Sequence, residues 1–254
     1  MNPMSAPRLL LVPAPLDFGL ATDTPLDDLL PRSTLRAAAS LSYWVVENAK
    51  TARAFLKRVD AVQPMPLPLQ QLQITELPRA AKGGGAGPKP DWAVLLAPLH
   101  AGHSLGLLSE AGLPAVADPG AALVAQAHRA GFAVQSLAGS SAIVQALAAS
   151  GLNGQCFAFH GYAPTDAAAR QQRLREWEAQ SRKLQQTQVL IETPYRNAAL
   201  LQALVQALAP TTQLAVTCAV TTAQEWTRSA SIADWRRQPS ALPADQPAMF
   251  SWLA

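Results

Sequence analysis

The sequence predicts an α/β protein made of two tandem α/β/α domains. Short, continuously apolar runs alternate with longer helical patterns, which is typical of strands covered on both faces. The chain has 254 residues, of which 49% are hydrophobic and 15% charged. This composition can bury a large core and excludes a disordered tail. We therefore predict an N-terminal domain over residues 1–137 and a C-terminal domain over residues 138–254.

In the first domain, apolar runs predict strands over Leu9–Pro13, Leu41–Val46, Leu105–Ser109 and 132–137, and helices over Ala49–Val59 and 121–130. The run Leu9–Leu16 follows Arg8 as in a secretory signal, but Pro13 and Pro15 interrupt it, so a buried first strand is favoured. The stretch Pro78–Pro90 is rich in glycine and is expected to form a mobile loop.

In the second domain, the pattern predicts helices over Ala142–Ala149, Asp166–Arg182 and 197–208, and strands over Cys156–His160, Thr187–Ile191, Leu214–Cys218 and Ala248–Trp252. Parallel and mixed strand pairing remain equally compatible with this pattern.

Charge and cysteine content narrow the class of protein. The formal net charge is +3 and the pI is about 9.1, which permits an anionic partner without requiring one. Cys156 and Cys218 have no CxxC spacing, so we expect neither a metal site nor a disulfide framework. A reducing, cytoplasmic location is expected, and no apolar run is long enough to predict a membrane span.

The segment Ser109–Gly120, SEAGLPAVADPG, is the most unusual local sequence. It follows a predicted buried strand and precedes a helix, where open α/β sheets bind ligands. Glycines allow close backbone approach, and Glu110 and Asp118 can accept hydrogen bonds. No GxGxxG or GxxxxGK[ST] pattern is present. The alternative is a connector in which Asp118 caps the next helix.

A second cluster of small residues, Ala138–Ser141, follows the next predicted strand. Ser140 or Ser141 could cap the following helix, which would explain one serine but not the pair of loops. Two adjacent strand ends with exposed backbone predict a shared pocket. We expect Gly112→Val or Gly139→Val to abolish ligand binding at a modest cost to the fold.

Two polar clusters are candidate substrate-binding surfaces. Glu47, Asn48, Lys50 and Arg53 follow the second strand, and Lys50, Arg53 and Lys57 share one helix face that could follow a phosphate backbone or simply be solvated. Glu192, Tyr195 and Arg196 follow another strand; the alternative there is an ion pair between Glu192 and Arg196 that closes the turn.

Motifs from both domains resemble the S-adenosylmethionine-dependent tetrapyrrole methylase superfamily and, within it, the small-subunit ribosomal RNA methyltransferase I branch. The branch's SDAGTPLISDPG is similar to Ser109–Gly120, its PGPSA to Ala138–Ala142, and its FxGFLP to Phe159–Pro164. Its VPTPIGN resembles Val12–Asp17, and its ESPYR resembles Glu192–Arg196. The resemblance implies two α/β domains with the cofactor in the cleft between them, usually in a homodimer.

The resemblance implies that S-adenosylmethionine is the cofactor, held by the two loops at Ser109, Glu110, Ala111, Gly112, Pro114, Asp118, Gly120, Ala138, Gly139, Ser140 and Ser141. It implies methyl transfer to a ribose 2'-hydroxyl of ribosomal RNA, with the RNA or the small ribosomal subunit as partner. A ribose hydroxyl gains from a nearby base. The candidate catalytic acids are Asp17, Glu47 and Glu192, and the candidate neutral bases are His103 and His160. The substrate-binding candidates are Lys50, Arg53, Tyr195 and Arg196.

The sequence departs from the branch at several positions. Cys218, Ala219 and Thr222 stand where the family signature has Arg, Glu and Lys, and Glu110 and Leu113 replace an Asp and a Thr. These departures keep two alternatives open. One is a methyltransferase for a corrin, a porphyrin or another small molecule, and the other is a non-catalytic module that binds S-adenosylmethionine.

Overall fold

A computed structural model of the chain describes residues 6–16, 24–78 and 90–254. Asp17 and most of the predicted loop Pro78–Pro90 lie outside these residues. The chain divides into two compact units, Met1–Ser140 and Ser141–Ala254, and each unit has its own sheet. Both this division and the boundary predicted after residue 137 fall in the segment that joins the last strand of the first unit to the first helix of the second.

The described elements of the first unit are, in chain order, β1 (Arg8–Val12), α1 (Leu26–Leu29), α2 (Arg32–Ala39), β2 (Tyr43–Val46), α3 (Ala49–Val62), a 3₁₀ turn (Leu69–Gln71), β3 (Gln73–Glu76), α4 (Trp92–His100), β4 (Leu105–Leu108), α5 (Ala121–Arg129) and β5 (Ala133–Ser136). The sheet has the order β3-β2-β4-β1-β5, and every neighbouring pair is parallel. The predicted strands and helices are confirmed, with ends that differ by a few residues.

Helices cover both faces of the first sheet. Leu10 and Val12 of β1 pack with residues of α1, α2 and α3, whereas Leu9 packs with residues of α4 and α5. Neighbouring residues of a strand point to opposite faces, so a strand covered on both sides must be apolar at every position. This explains the uninterrupted apolar run that predicted β1.

Sequence patterns missed α1, α2, α4 and β3. Helix α4, WAVLLAPLH, is apolar on most sides and contains Pro98, so it lacks the polar stripe of an amphipathic helix. Its start is fixed by Asp91, whose Oδ1 accepts hydrogen bonds from the amides of Ala93 (3.1 Å) and Val94 (3.3 Å). Strand β3 is an edge strand that is largely exposed, so its sequence carries no apolar run.

The described elements of the second unit are, in chain order, α6 (Ala142–Ser150), β6 (Phe157–Phe159), α7 (Ala167–Leu184), β7 (Thr187–Glu192), a 3₁₀ turn (Pro194–Arg196), α8 (Asn197–Ala207), β8 (Gln213–Cys218), β9 (Trp226–Ser231), α9 (Ile232–Arg237) and β10 (Ala248–Leu253). The sheet order is β6-β7-β10-β8-β9. β6 and β7 are parallel, and the other pairs are antiparallel. The sheet is therefore mixed, a choice that the sequence pattern left open.

The second sheet is also covered on two faces. Leu190, Val216 and Phe250 pack with residues of α7, α8 and α9. The alternating residues Val189 and Ala215 point to the other face, where α6 packs against the sheet. The predicted α/β/α class is confirmed for both units.

Candidate functional site

The carboxyl ends of the first unit's strands all lie at one edge, because the sheet is entirely parallel. The segment Ser109–Gly120, hereafter the β4 loop, and the segment Ala138–Ser141, hereafter the β5 loop, both lie at or near this edge. β4 and β5 are not neighbours, since β1 lies between them in the sheet. The prediction that the two loops leave adjacent strands is therefore wrong, and the segment after β1 takes the place between them.

The β4 loop is fastened to the segment that follows β1. Gly112 and Ala14 exchange two backbone hydrogen bonds, of 2.8 and 3.0 Å, in an isolated antiparallel bridge. Gly112 has a φ of +67°, which favours glycine. Ala115 and Ala117 also have positive φ values, +67° and +63°. Each costs about 1 kcal/mol for a residue with a Cβ, and backbone strain of this kind clusters at ligand-binding loops.

The β5 loop is held by side chains of the same unit. Thr34 Oγ1 donates a 2.7 Å hydrogen bond to the Ala138 carbonyl. Gly139 lies against Pro13, because a Cβ atom added to Gly139 would be 2.3 Å from the proline Cγ. A Cβ added to Gly112 would lie 3.8 Å from the Ser140 carbonyl oxygen. The β4 and β5 loops therefore meet at Gly112 and Ser140.

The contact of Gly139 with Pro13 corrects one expectation. A branched side chain at Gly139 would overlap the proline ring, which is backbone-bonded and cannot move away cheaply. Gly139→Val is therefore expected to disrupt the fold rather than to cost it modestly. At Gly112 the nearest atom to an added Cβ is Leu16 Cδ2 at 3.2 Å, the end of a flexible side chain.

Capping does not explain the residues that the sequence singled out. Helix α5 begins after Gly120, which has a φ of +123°, and Asp118 makes no capping hydrogen bond to it. Ser141 occupies the N-cap position of α6, but its side chain makes no capping bond. Instead, Gln145 Oε1 accepts a 3.1 Å hydrogen bond from the Ser141 amide. The purely structural alternatives for Asp118 and for the serine pair are therefore not realised.

Carboxylates line the ends of β3, β2 and β4. Glu47 Oε2 accepts a 3.1 Å hydrogen bond from the Glu110 amide, which ties the end of β2 to the β4 loop. Glu76 Oε1 accepts a 2.7 Å hydrogen bond from the Ala49 amide at the start of α3. Glu76 was not among the predicted site residues because β3 was not predicted, and Thr34 was missed because α2 was not predicted.

Asp118 is the carboxylate whose protonation the site changes most. Its pKa is raised to about 6, chiefly by burial and further by the charges of Glu47 and Glu110, while a hydrogen bond with Ser109 opposes the shift. Ser109 itself is buried, and its hydroxyl also donates to the Ala111 carbonyl at 3.2 Å. Near neutral pH, Asp118 can therefore both accept and donate a proton.

The predicted basic face of α3 is present. Lys50, Arg53 and Lys57 are exposed, whereas Phe55 and Leu56 are buried in the core. Asn48 Oδ1 caps the helix by accepting a 2.9 Å hydrogen bond from the Lys50 amide. The helix start thus lies directly after Glu47, at the same edge as the β4 loop.

In the second unit, Glu192 and Arg196 form the ion pair that was the alternative to a catalytic role. Arg196 Nη2 lies 3.1 Å from Glu192 Oε2, and the Glu192 side chain is wholly buried. Glu192 Oε1 also accepts a 2.8 Å hydrogen bond from the Thr193 amide. Tyr195 lies beside this pair and is exposed. The geometry fits a residue that positions the turn.

The two histidines named as candidate bases lie elsewhere. His103 precedes β4, at the sheet edge opposite the β4 and β5 loops, where it stacks on Tyr43. His160 stacks on Trp177 at 4.3 Å and forms a 2.6 Å hydrogen bond with Gln188. Burial lowers the pKa of His160, although the bond to Gln188 opposes this shift. His103 is therefore not part of the loop site.

The described part of the chain offers neither a metal centre nor a membrane-spanning helix. Across residues 6–16, 24–78 and 90–254, no group of three or more His, Cys, Asp or Glu side chains could hold a metal ion. Over the same residues, no helix is both long and apolar enough to cross a membrane. Cys156 and Cys218 are free thiols, and burial raises the pKa of Cys218 to about 11.

Fold and loops together define an α/β protein of two units whose first sheet carries a ligand-binding edge. The family model described as Tetrapyrrole (Corrin/Porphyrin) Methylases matches residues 42–235. The chain belongs to this family, which confirms the resemblance seen in the motifs.

Relatives and solved structures agree with this assignment. The chain is 38% identical over 115 residues to the ribosomal RNA small subunit methyltransferase I of Vibrio cholerae and 41% identical over 125 residues to that of Mesorhizobium japonicum. These matches cover 45% and 49% of the chain, but only 38% and 40% of the relatives' length. The crystal structure of the methyltransferase CobJ matches 96% of the chain and 93% of its own, with a TM-score of 0.56 and 16% identity. That of the cobalt precorrin-4 methyltransferase CbiF covers 99% and 97%, with a TM-score of 0.55 and 13% identity. These two structures support the fold alone.

Proposed function

We propose that this protein is an S-adenosylmethionine-dependent methyltransferase that acts on RNA of the small ribosomal subunit, at a ribose 2'-hydroxyl. The observation that carries the proposal is the meeting of the β4 and β5 loops at Gly112 and Ser140, beside the basic face of α3. The relatives that share about 40% identity are named ribosomal RNA methyltransferases, which favours RNA over a tetrapyrrole.

The residues present fit a bound S-adenosylmethionine. Glycine at 112 leaves the loop backbone open to a ligand, and the amides of the β4 and β5 loops can donate to it. Ser109, Glu110 and Asp118 supply side-chain oxygens, as do Ser140 and Ser141, while Ala111, Pro114, Gly120, Ala138 and Gly139 shape the backbone path. When bound, the cofactor supplies an electrophilic methyl group on its sulfonium centre.

The chain's own part in methyl transfer is mainly alignment and exclusion of water. We assign Glu47 to positioning, because its carboxylate holds the amide of Glu110. We assign Glu192 to positioning as well, because its carboxylate is buried against Arg196. Lys50 and Arg53 would hold RNA phosphates, and Tyr195 and Arg196 would contact the substrate from the second unit. Asp17 lies outside the described residues and stays a predicted catalytic residue.

Mass spectrometry of modified nucleosides tests the proposal most directly. Small-subunit ribosomal RNA from cells with and without this protein should differ by one 2'-O-methylated nucleoside. Purified protein with labelled S-adenosylmethionine should restore that nucleoside on RNA from the deletion strain. Transfer to a corrin or porphyrin instead would contradict the RNA assignment. Cofactor binding with no transfer to either substrate would favour a non-catalytic module.

Assembly is part of the proposal. We propose a homodimer in the cytoplasm, as the family resemblance implies. Light scattering of the purified chain, at 26.9 kDa per subunit, distinguishes a dimer from a monomer.

A further inference from the structure

Two exposed tyrosines lie at one edge of the second sheet. Tyr162 follows β6 and Tyr195 follows β7, and these two strands are parallel neighbours. The ladder continues past β6, since the Ile191 amide donates a 3.0 Å hydrogen bond to the Gly161 carbonyl. The carboxyl ends of parallel neighbours meet, so both tyrosines are at the same edge. We call Tyr162 and Tyr195 the tyrosine pair.

The loops that carry the tyrosine pair are tied together. Arg196 Nη2 donates a 3.0 Å hydrogen bond to the Ala163 carbonyl, and each of these residues directly follows one of the tyrosines. Arg196 is held in turn by the buried Glu192 carboxylate. Side chains mounted on a fixed backbone lose less conformational entropy when they bind a ligand.

Exposure separates these tyrosines from the other large aromatic residues. Tyr195 is 80% exposed and Tyr162 is 55% exposed, whereas Trp235 and Trp252 are buried. Aromatic rings normally bury most of their apolar area, so two exposed rings at one strand edge point to a partner that covers them.

Charge and unsatisfied polar atoms indicate the chemistry of that partner. Arg170 Nη1 donates to the carbonyls of Pro164 at 3.2 Å and Thr165 at 3.1 Å, and it belongs to no ion pair among the described residues. Arg170 and Arg196 thus place two guanidinium groups beside the loop that carries Tyr162. At the start of α8, the buried Asn197 leaves Oδ1 without a hydrogen-bond partner, and Gln246 Oε1 is likewise unpartnered. A partner with aromatic faces, negative charge and hydrogen-bond donors fits this edge.

We propose that the tyrosine pair is a stacking platform for the bases of unpaired RNA nucleotides, with Arg170 and Arg196 beside it for the phosphates. The inference rests on the proposed function and narrows its substrate to single-stranded or looped RNA. Bases inside a duplex are already stacked on their neighbours and cannot lie on a protein ring, whereas unpaired bases can. The methylated nucleotide would then lie in an unpaired segment.

Binding of short RNA to the full chain tests the platform. A fluorescein-labelled 12-nucleotide single strand and the same strand annealed to its complement are titrated at fixed salt. We expect the single strand to bind more tightly. Tyr195→Ala and Tyr162→Ala should each weaken its binding roughly 5- to 150-fold, the range for loss of one stacked base. Tyr195→Phe and Tyr162→Phe keep the ring and should bind within about twofold of the wild type.

Phe157→Ala is the matched control, because Phe157 is an exposed aromatic residue at the amino end of β6. It should leave binding unchanged. Circular dichroism and thermal unfolding of each variant verify that the fold is retained. Equal binding of the single strand by the alanine variants and the wild type would overturn the platform, as would a preference for the duplex.

Calorimetry of S-adenosylmethionine binding on the same proteins separates this inference from the proposed function. If the tyrosine variants lose RNA binding while the wild type binds no S-adenosylmethionine, the platform stands and the methyltransferase proposal fails. If the wild type binds the cofactor and methylates RNA, and the alanine variants bind single strands normally, the platform fails and the methyltransferase proposal stands.

Discussion

At the scale of single residues, Asp118 shows how a loop can change the chemistry of a common side chain. A carboxyl group in water is ionised at pH 7, but Asp118 is partly buried and faces the charges of Glu47 and Glu110. Its pKa of about 6 in the folded protein exceeds the ordinary value of 3.8. The folded state therefore binds more protons than the unfolded state between these two values.

This shift predicts a pH-dependent stability. The contribution of neutral Asp118 is fully present below pH 3.8 and is lost as the pH rises through about 6. Asp118→Asn mimics the neutral form, so it should raise the free energy of unfolding at pH 7 by roughly 1 kcal/mol, after allowance for partial exposure. Urea unfolding at pH 4 and pH 7 measures the difference. A variant equally stabilised at both pH values would show that protonation of Asp118 is not the cause.

Gly112 is the residue at which the loop site can be tested without disturbing the core. Gly112→Ala should weaken S-adenosylmethionine binding at least tenfold, because a Cβ there would point into the junction with Ser140. The matched control is Gly131→Ala, since Gly131 has a φ of +80° and no atom near an added Cβ. Both should cost about 1–2 kcal/mol of stability through the left-handed backbone. Normal cofactor binding by Gly112→Ala, measured by calorimetry, would mean that the wrong loops have been assigned.

At the scale of secondary-structure elements, helix α3 joins the loop edge to a charged surface. Its buried face anchors it to the first sheet, which leaves the basic face outward. Replacement of Lys50, Arg53 and Lys57 by Gln should weaken single-stranded RNA binding and reduce the slope of log K against log salt by about 2, if all three contact phosphates.

A control with the same net charge isolates the position of these cations. Arg175, Arg182 and Lys183 are exposed on α7, and their replacement by Gln also removes three positive charges. This second triple variant should change the salt slope much less. Equal effects of the two triple variants, measured by fluorescence titration at several salt concentrations, would reduce the role of α3 to overall charge.

The turn between β7 and α8 depends on one buried ion pair. Glu192→Gln leaves Arg196 without its carboxylate and should destabilise the protein by about 1–3 kcal/mol, because a partly buried charge loses its partner. Glu176→Gln breaks an exposed pair with Arg173 and should change stability very little. Chemical unfolding compares the two variants. If Glu192→Gln abolished methyl transfer while stability stayed at the wild-type value, Glu192 would be assigned a catalytic role instead.

At the scale of the whole molecule, cofactor and RNA contacts are distributed over two units with separate sheets. Gly112→Ala, in the first unit, should therefore reduce cofactor affinity while the tyrosine pair still binds a single-stranded RNA probe with wild-type affinity. Fluorescence titration of that variant measures this independence. A parallel loss of RNA affinity would show that cofactor and RNA binding are coupled through the fold.

Element type was predictable where a single local signal dominates. β1 and β4 are apolar at every position because helices cover both faces of their sheet, and α3 carries both a cap at Asn48 and a periodic apolar face. β3 and β9 escaped prediction because each lies at a sheet edge and has a mostly polar sequence. The motif at Ser109–Gly120 located the candidate loop because glycine, proline and acid residues recur there at a strand end.

The sequence by itself determined the fold class, the family and the two loops, because these depend on the order of residue types along the chain. Only the tertiary structure decided that β1 separates β4 from β5, that Gly139 packs on Pro13, and that Glu192 is buried against Arg196. It alone brought Tyr162 and Tyr195 to one edge. Strand order and burial depend on contacts between residues far apart in the chain, and no local pattern of residues encodes those contacts.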